Sequence, residues 1–65
     1  MTITATVNNL PDTIATYLAK NNGVLYITVT PYDGELWYYG LWYKLADAEA
    51  QAKAESKLVL TVKEV

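Results

Sequence analysis

The residues that could do chemistry in this 65-residue chain are few, because the sequence contains neither His nor Cys. The usual general base, thiol nucleophile and zinc ligands are therefore missing. Among the seven carboxylates, Asp33 and Glu35 flank a single glycine and could in principle bind a hard cation or act as an acid/base pair. A simpler interpretation is that Asp33-Gly34 forms a tight turn. We therefore expect no catalytic site, no metal site and no cofactor.

The composition favours binding through aromatic residues. The chain has two Trp and six Tyr, and only 18% of its residues are charged, where an ordinary soluble domain has about 25%. The net charge is −2 and all five positive charges are Lys, a balance that disfavours nucleic-acid binding. No apolar run approaches the roughly 18 residues that span a membrane, and the N-terminus does not resemble a signal peptide. We expect a cytoplasmic protein with no membrane contact.

The elements that must position these residues follow from periodicity and turn signals. Pro11 and Asp12 are typical of a helix start, and Asn21-Asn22-Gly23 of a helix end. The pattern predicts strands over residues 2–7, 24–30, 35–45 and 58–63, and helices over residues 11–21 and 48–56, with Asp47 as the cap of the second helix. A competing interpretation takes Asn22-Gly23 as a hairpin turn between strands 13–20 and 24–30.

The order β-α-β-β-α-β in one small domain, residues 1–65, predicts a two-layer α+β fold. We expect the ferredoxin-like arrangement, a four-stranded antiparallel sheet with two helices on one face. The other face of that sheet would be open to solvent.

The hairpin register decides which aromatic residues lie on that open face. With Asp33-Gly34 as a two-residue turn, Tyr38 and Trp42 point to the core, and Gly40 allows a bulky neighbour to approach closely. The predicted open face has about 400 to 600 Å² of apolar surface, with two acidic residues at its rim. Its members are Tyr26, Trp37, Tyr39, Leu41 and Tyr43, and the rim residues are Asp33 and Glu35. Two alternatives stay open, namely that a three-residue turn swaps the faces or that the rings only stabilise the sheet.

Two stretches resemble the RNA-recognition-motif family. Residues 7–11, VNNLP, are similar to the end of its first-strand motif, and residues 40–49, GLWYKLADAE, to its third strand entering the second helix. The resemblance implies the ferredoxin-like fold and, for the family, bases stacked on aromatic side chains. The family's stacking positions fall here on Thr6, Gly40, Trp42 and Leu45.

In style, the small, acidic, aromatic-rich chain also resembles phage-encoded inhibitors such as anti-CRISPR proteins, which implies a viral protein acting in the host cytoplasm. We therefore expect a non-catalytic module that binds a protein partner through the aromatic face. One alternative is single-stranded nucleic-acid binding on the same rings. Another is a structural or engineered domain that forms a homodimer to cover them.

Overall fold

The computed structural model describes residues 2–3 and 5–64, and these form a small α+β domain with two helices. The elements in chain order are β1 (Thr2–Ile3), β2 (Val7–Asn8), α1 (Ile14–Lys20), β3 (Val24–Tyr32), β4 (Glu35–Trp42), α2 (Leu45–Glu55) and β5 (Leu58–Lys63). All strands belong to one mixed sheet with the order β1-β5-β3-β4-β2. No helix in the described ranges is long and apolar enough to cross a membrane.

The predicted first strand over residues 2–7 is wrong as a single strand. Its two ends lie at opposite edges of the sheet, where β1 pairs antiparallel with β5 and β2 pairs parallel with β4. In a flat sheet those edges would be about 19 Å apart, yet the chain from Ile3 to Val7 can span only about 14 Å. The sheet must therefore curl.

The ferredoxin-like, wholly antiparallel sheet is not formed, because β3 takes the central position that the first strand has in that fold. Leu25, Ile27, Thr28 and Val29 of β3 are all fully buried. The large apolar side chains of β3 stabilise the sheet more when they are buried at its centre than the Thr- and Ala-rich N-terminal segment would in the same position. The last predicted strand, residues 58–63, is confirmed as β5.

The two helices cover opposite faces of the sheet, which corrects the expectation that both lie on one face. The core cluster joins α1 to one face of β3 and β5 and consists of Ile14, Leu18, Leu25, Ile27, Val29 and Val62. In α2, Ala48 and Ala52 are buried but lie outside this cluster. Thr28, on the other face of β3, is also fully buried, which places α2 over that face.

Both helices exist, with shifted bounds. The regular part of α1 begins at Ile14, after a turn in which the Ile14 amide donates to the Pro11 carbonyl at 3.3 Å. The competing strand over residues 13–20 is therefore wrong. Helix α2 begins at Leu45, so Asp47 lies in its first turn and does not cap it.

Candidate protein-binding surface

The β3–β4 hairpin is confirmed up to its fourth residue pair and then departs from the predicted register. Asp33 and Gly34 have φ angles of 52° and 77°, the left-handed pair that a tight two-residue turn requires. Tyr32 lies opposite Glu35, Thr30 opposite Trp37 and Val29 opposite Tyr38.

Beyond Tyr38 a β-bulge at Tyr39 adds one residue to β4. Thr28 therefore lies opposite Gly40, Ile27 opposite Leu41 and Tyr26 opposite Trp42. One extra residue exchanges the faces of every later side chain. The predicted pairs of Thr28 with Tyr39 and of Tyr26 with Leu41 are wrong for this reason.

The space above Gly40 is filled by the Trp42 indole. A Cβ atom at Gly40 would lie 3.3 Å from Trp42 Nε1 and 3.0 Å from Thr28 Oγ1. Trp42 Nε1 donates to Thr28 Oγ1 at 3.4 Å, and this hydroxyl donates to the Gly40 carbonyl at 3.4 Å. The expected close approach at Gly40 is confirmed, whereas the prediction that Trp42 points to the core is wrong, because the bulge turns it toward the face that α2 covers.

The five predicted surface residues do not form one continuous face. Leu41 packs against the core cluster, and Tyr26 is half-buried. Tyr43 lies beyond the end of β4 on the α1 side, where its ring centroid is 6.4 Å from that of Tyr17 and its carbonyl accepts from Asn21 Nδ2 at 2.9 Å. Trp37 and Tyr39, two residues apart on β4, are both exposed.

These two residues form an exposed surface with Tyr32, which we name the hairpin patch (Tyr32, Trp37 and Tyr39). The exposed fractions of the three side chains are 70%, 40% and 49%. Tyr32 and Trp37 are diagonal neighbours on one face of the hairpin. Tyr32 was not predicted as a site residue, although the predicted register already placed it opposite Glu35.

The C-terminus of α2 and the segment after it supply two charged residues to the hairpin patch. Lys57 Nζ lies over the Tyr39 ring, 4.5 Å from its centroid. A hydrogen bond to the Glu55 carboxylate, together with its negative charge, raises the pKa of Tyr39. Hydrogen bonds from Tyr39 and Gln51 lower the pKa of Glu55. No sequence pattern pointed to Lys57 or Glu55, because their proximity depends on which face α2 covers.

The two residues predicted as an acidic rim lie at the hairpin tip. Asp33 and Glu35 are both exposed, and Glu35 Oε2 accepts from Asn8 Nδ2 at 3.2 Å. Glu35 also lines an open groove of about 340 Å³ between the turn and the N-terminal segment, with Ala5, Thr6, Asn8, Gly34 and Leu36. Within the described residues, no three acidic side chains are close enough to hold a metal ion.

No protein-family model, curated protein or solved structure matches this chain. The resemblances to the RNA-recognition motif and to phage inhibitors therefore stay predictions. The function of the chain has to be inferred from its own surface.

Proposed function

We propose that this chain is a small, non-catalytic protein-binding module and that the hairpin patch is its contact surface. The observation that carries the proposal is the exposure of three aromatic side chains on one hairpin. With about 200 Å² for each aromatic side chain, their exposed fractions leave roughly 300 Å² in contact with water. A patch of this size on a monomer is often functional.

The types of residue in the hairpin patch support a protein contact. Tyr and Trp are enriched among the residues that dominate binding energies, because their rings bury a large area with few rotatable bonds. A protein interface of ordinary size buries about 800 Å² on each partner. The hairpin patch would thus form the centre of an interface whose rim includes Asp33 and Glu35.

The charges around the hairpin patch favour a protein over a single-stranded nucleic acid. Proteins that bind single strands combine stacking rings with a positively charged groove along the phosphates. Here Lys57 is accompanied by Asp33, Glu35 and Glu55. Three other lysines lie toward the opposite end of the sheet, namely Lys20, Lys44 and Lys63.

An inhibitory role is part of the proposal. A chain of this size that covers a functional surface of its partner would block that surface without any chemistry of its own. The acidic, aromatic character of the hairpin patch suits a partner surface that normally holds an acidic ligand. A phage origin and action in the host cytoplasm belong to this proposal.

The test compares wild-type protein with the double variant Trp37→Ser, Tyr39→Ser and the control Tyr43→Ser. Tyr43 suits the control because it has the same side chain as Tyr39 and a similar exposed fraction, 45% against 49%, but lies outside the hairpin patch. Proteins retained by each immobilised variant from a lysate of the host cell would be quantified, and the affinity of a purified candidate would then be measured.

We expect a partner whose affinity falls at least tenfold for the double variant and stays unchanged for Tyr43→Ser, with the same circular dichroism spectrum for all three proteins. Equal binding by all three would overturn the proposed surface. If light scattering shows a wild-type dimer that the double variant alone loses, the hairpin patch serves self-association instead, and the proposal of a foreign partner is wrong.

A further inference from the structure

We propose, on the basis of the proposed function, that the hairpin patch recognises a basic segment of the partner. An Arg or Lys side chain of that segment would lie on the exposed rings, with its charge balanced by Asp33 and Glu35. This inference names the chemistry of the partner, which exposed aromatic area alone does not.

The contact between Lys57 and Tyr39 shows how such a side chain would bind. The Lys57 ammonium lies 4.5 Å from the centroid of the Tyr39 ring, well within the roughly 6 Å over which a cation is attracted to an aromatic face. The Glu55 carboxylate is close enough to the phenol of the same residue to raise the pKa of Tyr39. One ring of the hairpin patch thus already holds a cation beside a carboxylate.

Two acidic residues are neighbours of the other two rings in the backbone register of the hairpin. Glu35 lies directly opposite Tyr32 in the hairpin, and Asp33 occupies the turn between them. Trp37 follows on the same face and has the ring type that attracts cations most strongly. Tyr32 and Trp37 therefore offer a second cation site, next to the one that Lys57 occupies.

The distribution of charge along the sheet agrees with a basic partner. Asp33 and Glu35 lie at the hairpin tip, whereas Lys63 lies opposite Val24 at the far end of β3. An approaching basic segment would be attracted to the tip. Lys57 would compete with that segment for the Tyr39 ring.

The test uses synthetic peptides of equal length that carry several Arg, several Gln or several Glu residues on the same Gly/Ser background. Binding to the full chain would be titrated by Trp fluorescence and calorimetry at low and at physiological salt. The double variant Asp33→Asn, Glu35→Gln is compared with the matched control Asp47→Asn, Glu49→Gln. Both variants remove the same two residue types and the same charge, but Asp47 and Glu49 are exposed residues of α2, away from the hairpin tip.

We expect the Arg peptide to bind at least tenfold more tightly than the Gln peptide. The hairpin-tip variant should weaken this binding about two- to fivefold for each lost charge, while the α2 variant changes it less than twofold. Lys57→Gln should strengthen binding more than Lys53→Gln, a substitution of an exposed α2 lysine that changes the net charge equally.

If the two acidic double variants lose the same affinity for the Arg peptide, the attraction depends on net charge alone and the inference is overturned. Equal binding of the Arg and Gln peptides, or no binding of either, would overturn it too. Such a result leaves the proposed function standing if Trp37→Ser, Tyr39→Ser still loses the natural partner. If Trp37→Ser, Tyr39→Ser and Asp33→Asn, Glu35→Gln both still bind the natural partner, the proposed surface itself is refuted.

Discussion

Substituting Gly40 by Ala tests the packing that sets the register of β4. The added Cβ would lie 3.0 Å from Thr28 Oγ1 and 3.3 Å from Trp42 Nε1, both closer than ordinary van der Waals contact. Thr28 is fully buried and β-branched, so it has little freedom to move away. Overpacking of this kind costs about 1 to 3 kcal/mol.

Part of that cost is offset in the unfolded state, because Ala has less backbone freedom than Gly, an effect of about 0.4 to 1 kcal/mol. We therefore expect Gly40→Ala to lower the free energy of unfolding by about 1 to 2 kcal/mol. For a domain of this size the loss corresponds to a fall in Tm of roughly 5 to 15 °C. Urea denaturation followed by Trp fluorescence and by far-UV circular dichroism would measure it.

A double-mutant cycle with Thr28→Ala shows whether the clash is the cause. Removing Oγ1 makes room for the new Cβ, so Gly40→Ala should cost about 1 kcal/mol less in the Thr28→Ala background. Gly34→Ala is the control, because among the described residues no atom beyond the adjoining ones lies within 4 Å of its added Cβ, so its cost comes from a φ of +77°. Its effect should add to that of Thr28→Ala. If Gly40→Ala leaves the free energy of unfolding unchanged, or lowers it by the same amount with and without Thr28→Ala, the clash with Thr28 is not what keeps this position a glycine.

Three further substitutions test the assignment of faces and the charges at the hairpin patch. Glu55→Gln should lower the pKa of Tyr39 toward its ordinary value in an alkaline absorbance titration. Because the pKa of Glu55 is lower in the folded state, its contribution to stability is present above its unfolded pKa and is lost as the pH falls through its folded pKa. The free energy of unfolding of Glu55→Gln should therefore vary less with pH in that acidic range than that of the wild type. Leu41→Ala should cost about 2 kcal/mol in urea denaturation, because Leu41 packs on the core, and a change under 0.5 kcal/mol would mean that it faces solvent. Ala48→Leu should lower the free energy of unfolding, measured by thermal denaturation, by about 1 to 3 kcal/mol, because this position of α2 is fully buried. The control Ala50→Leu, at an exposed position, should change it by less than about 0.5 kcal/mol. Equal effects of the two substitutions would contradict the packing of α2.

Local sequence signals predicted the elements whose partners are near in the chain. Asp33-Gly34 specified the hairpin turn, and the pairs from Tyr32–Glu35 to Val29–Tyr38 followed from it. The first helix was recognised from its apolar periodicity and its terminal residues, and the second from Asp47 near its start. Such signals depend on backbone preferences within a few residues, which is why they survive into the folded chain.

The position of the N-terminal segment could not be predicted in this way. Alternation over residues 2–7 indicates a strand, but it contains no information on which edge the strand joins. That choice depends on β3, in which three consecutive residues, Ile27 to Val29, are fully buried, as suits a central strand. The N-terminal segment then pairs at the edges, where two of the described residues at each end pair with a neighbouring strand.

The prediction of the candidate surface was wrong because of a single residue, the bulge at Tyr39. Without a bulge at Tyr39, Gly40 would face the core opposite Ile27 and leave a gap there, and Leu41 would lie under α2 beside Tyr26. With the bulge, Leu41 fills the core and Gly40 faces the side that α2 covers. Because α2 buries only alanines, it approaches the sheet closely, and a glycine on that face leaves room for the Trp42 indole. The same close approach brings Glu55 and Lys57 to the Tyr39 ring, so the chemistry of the hairpin patch is a consequence of how α2 packs.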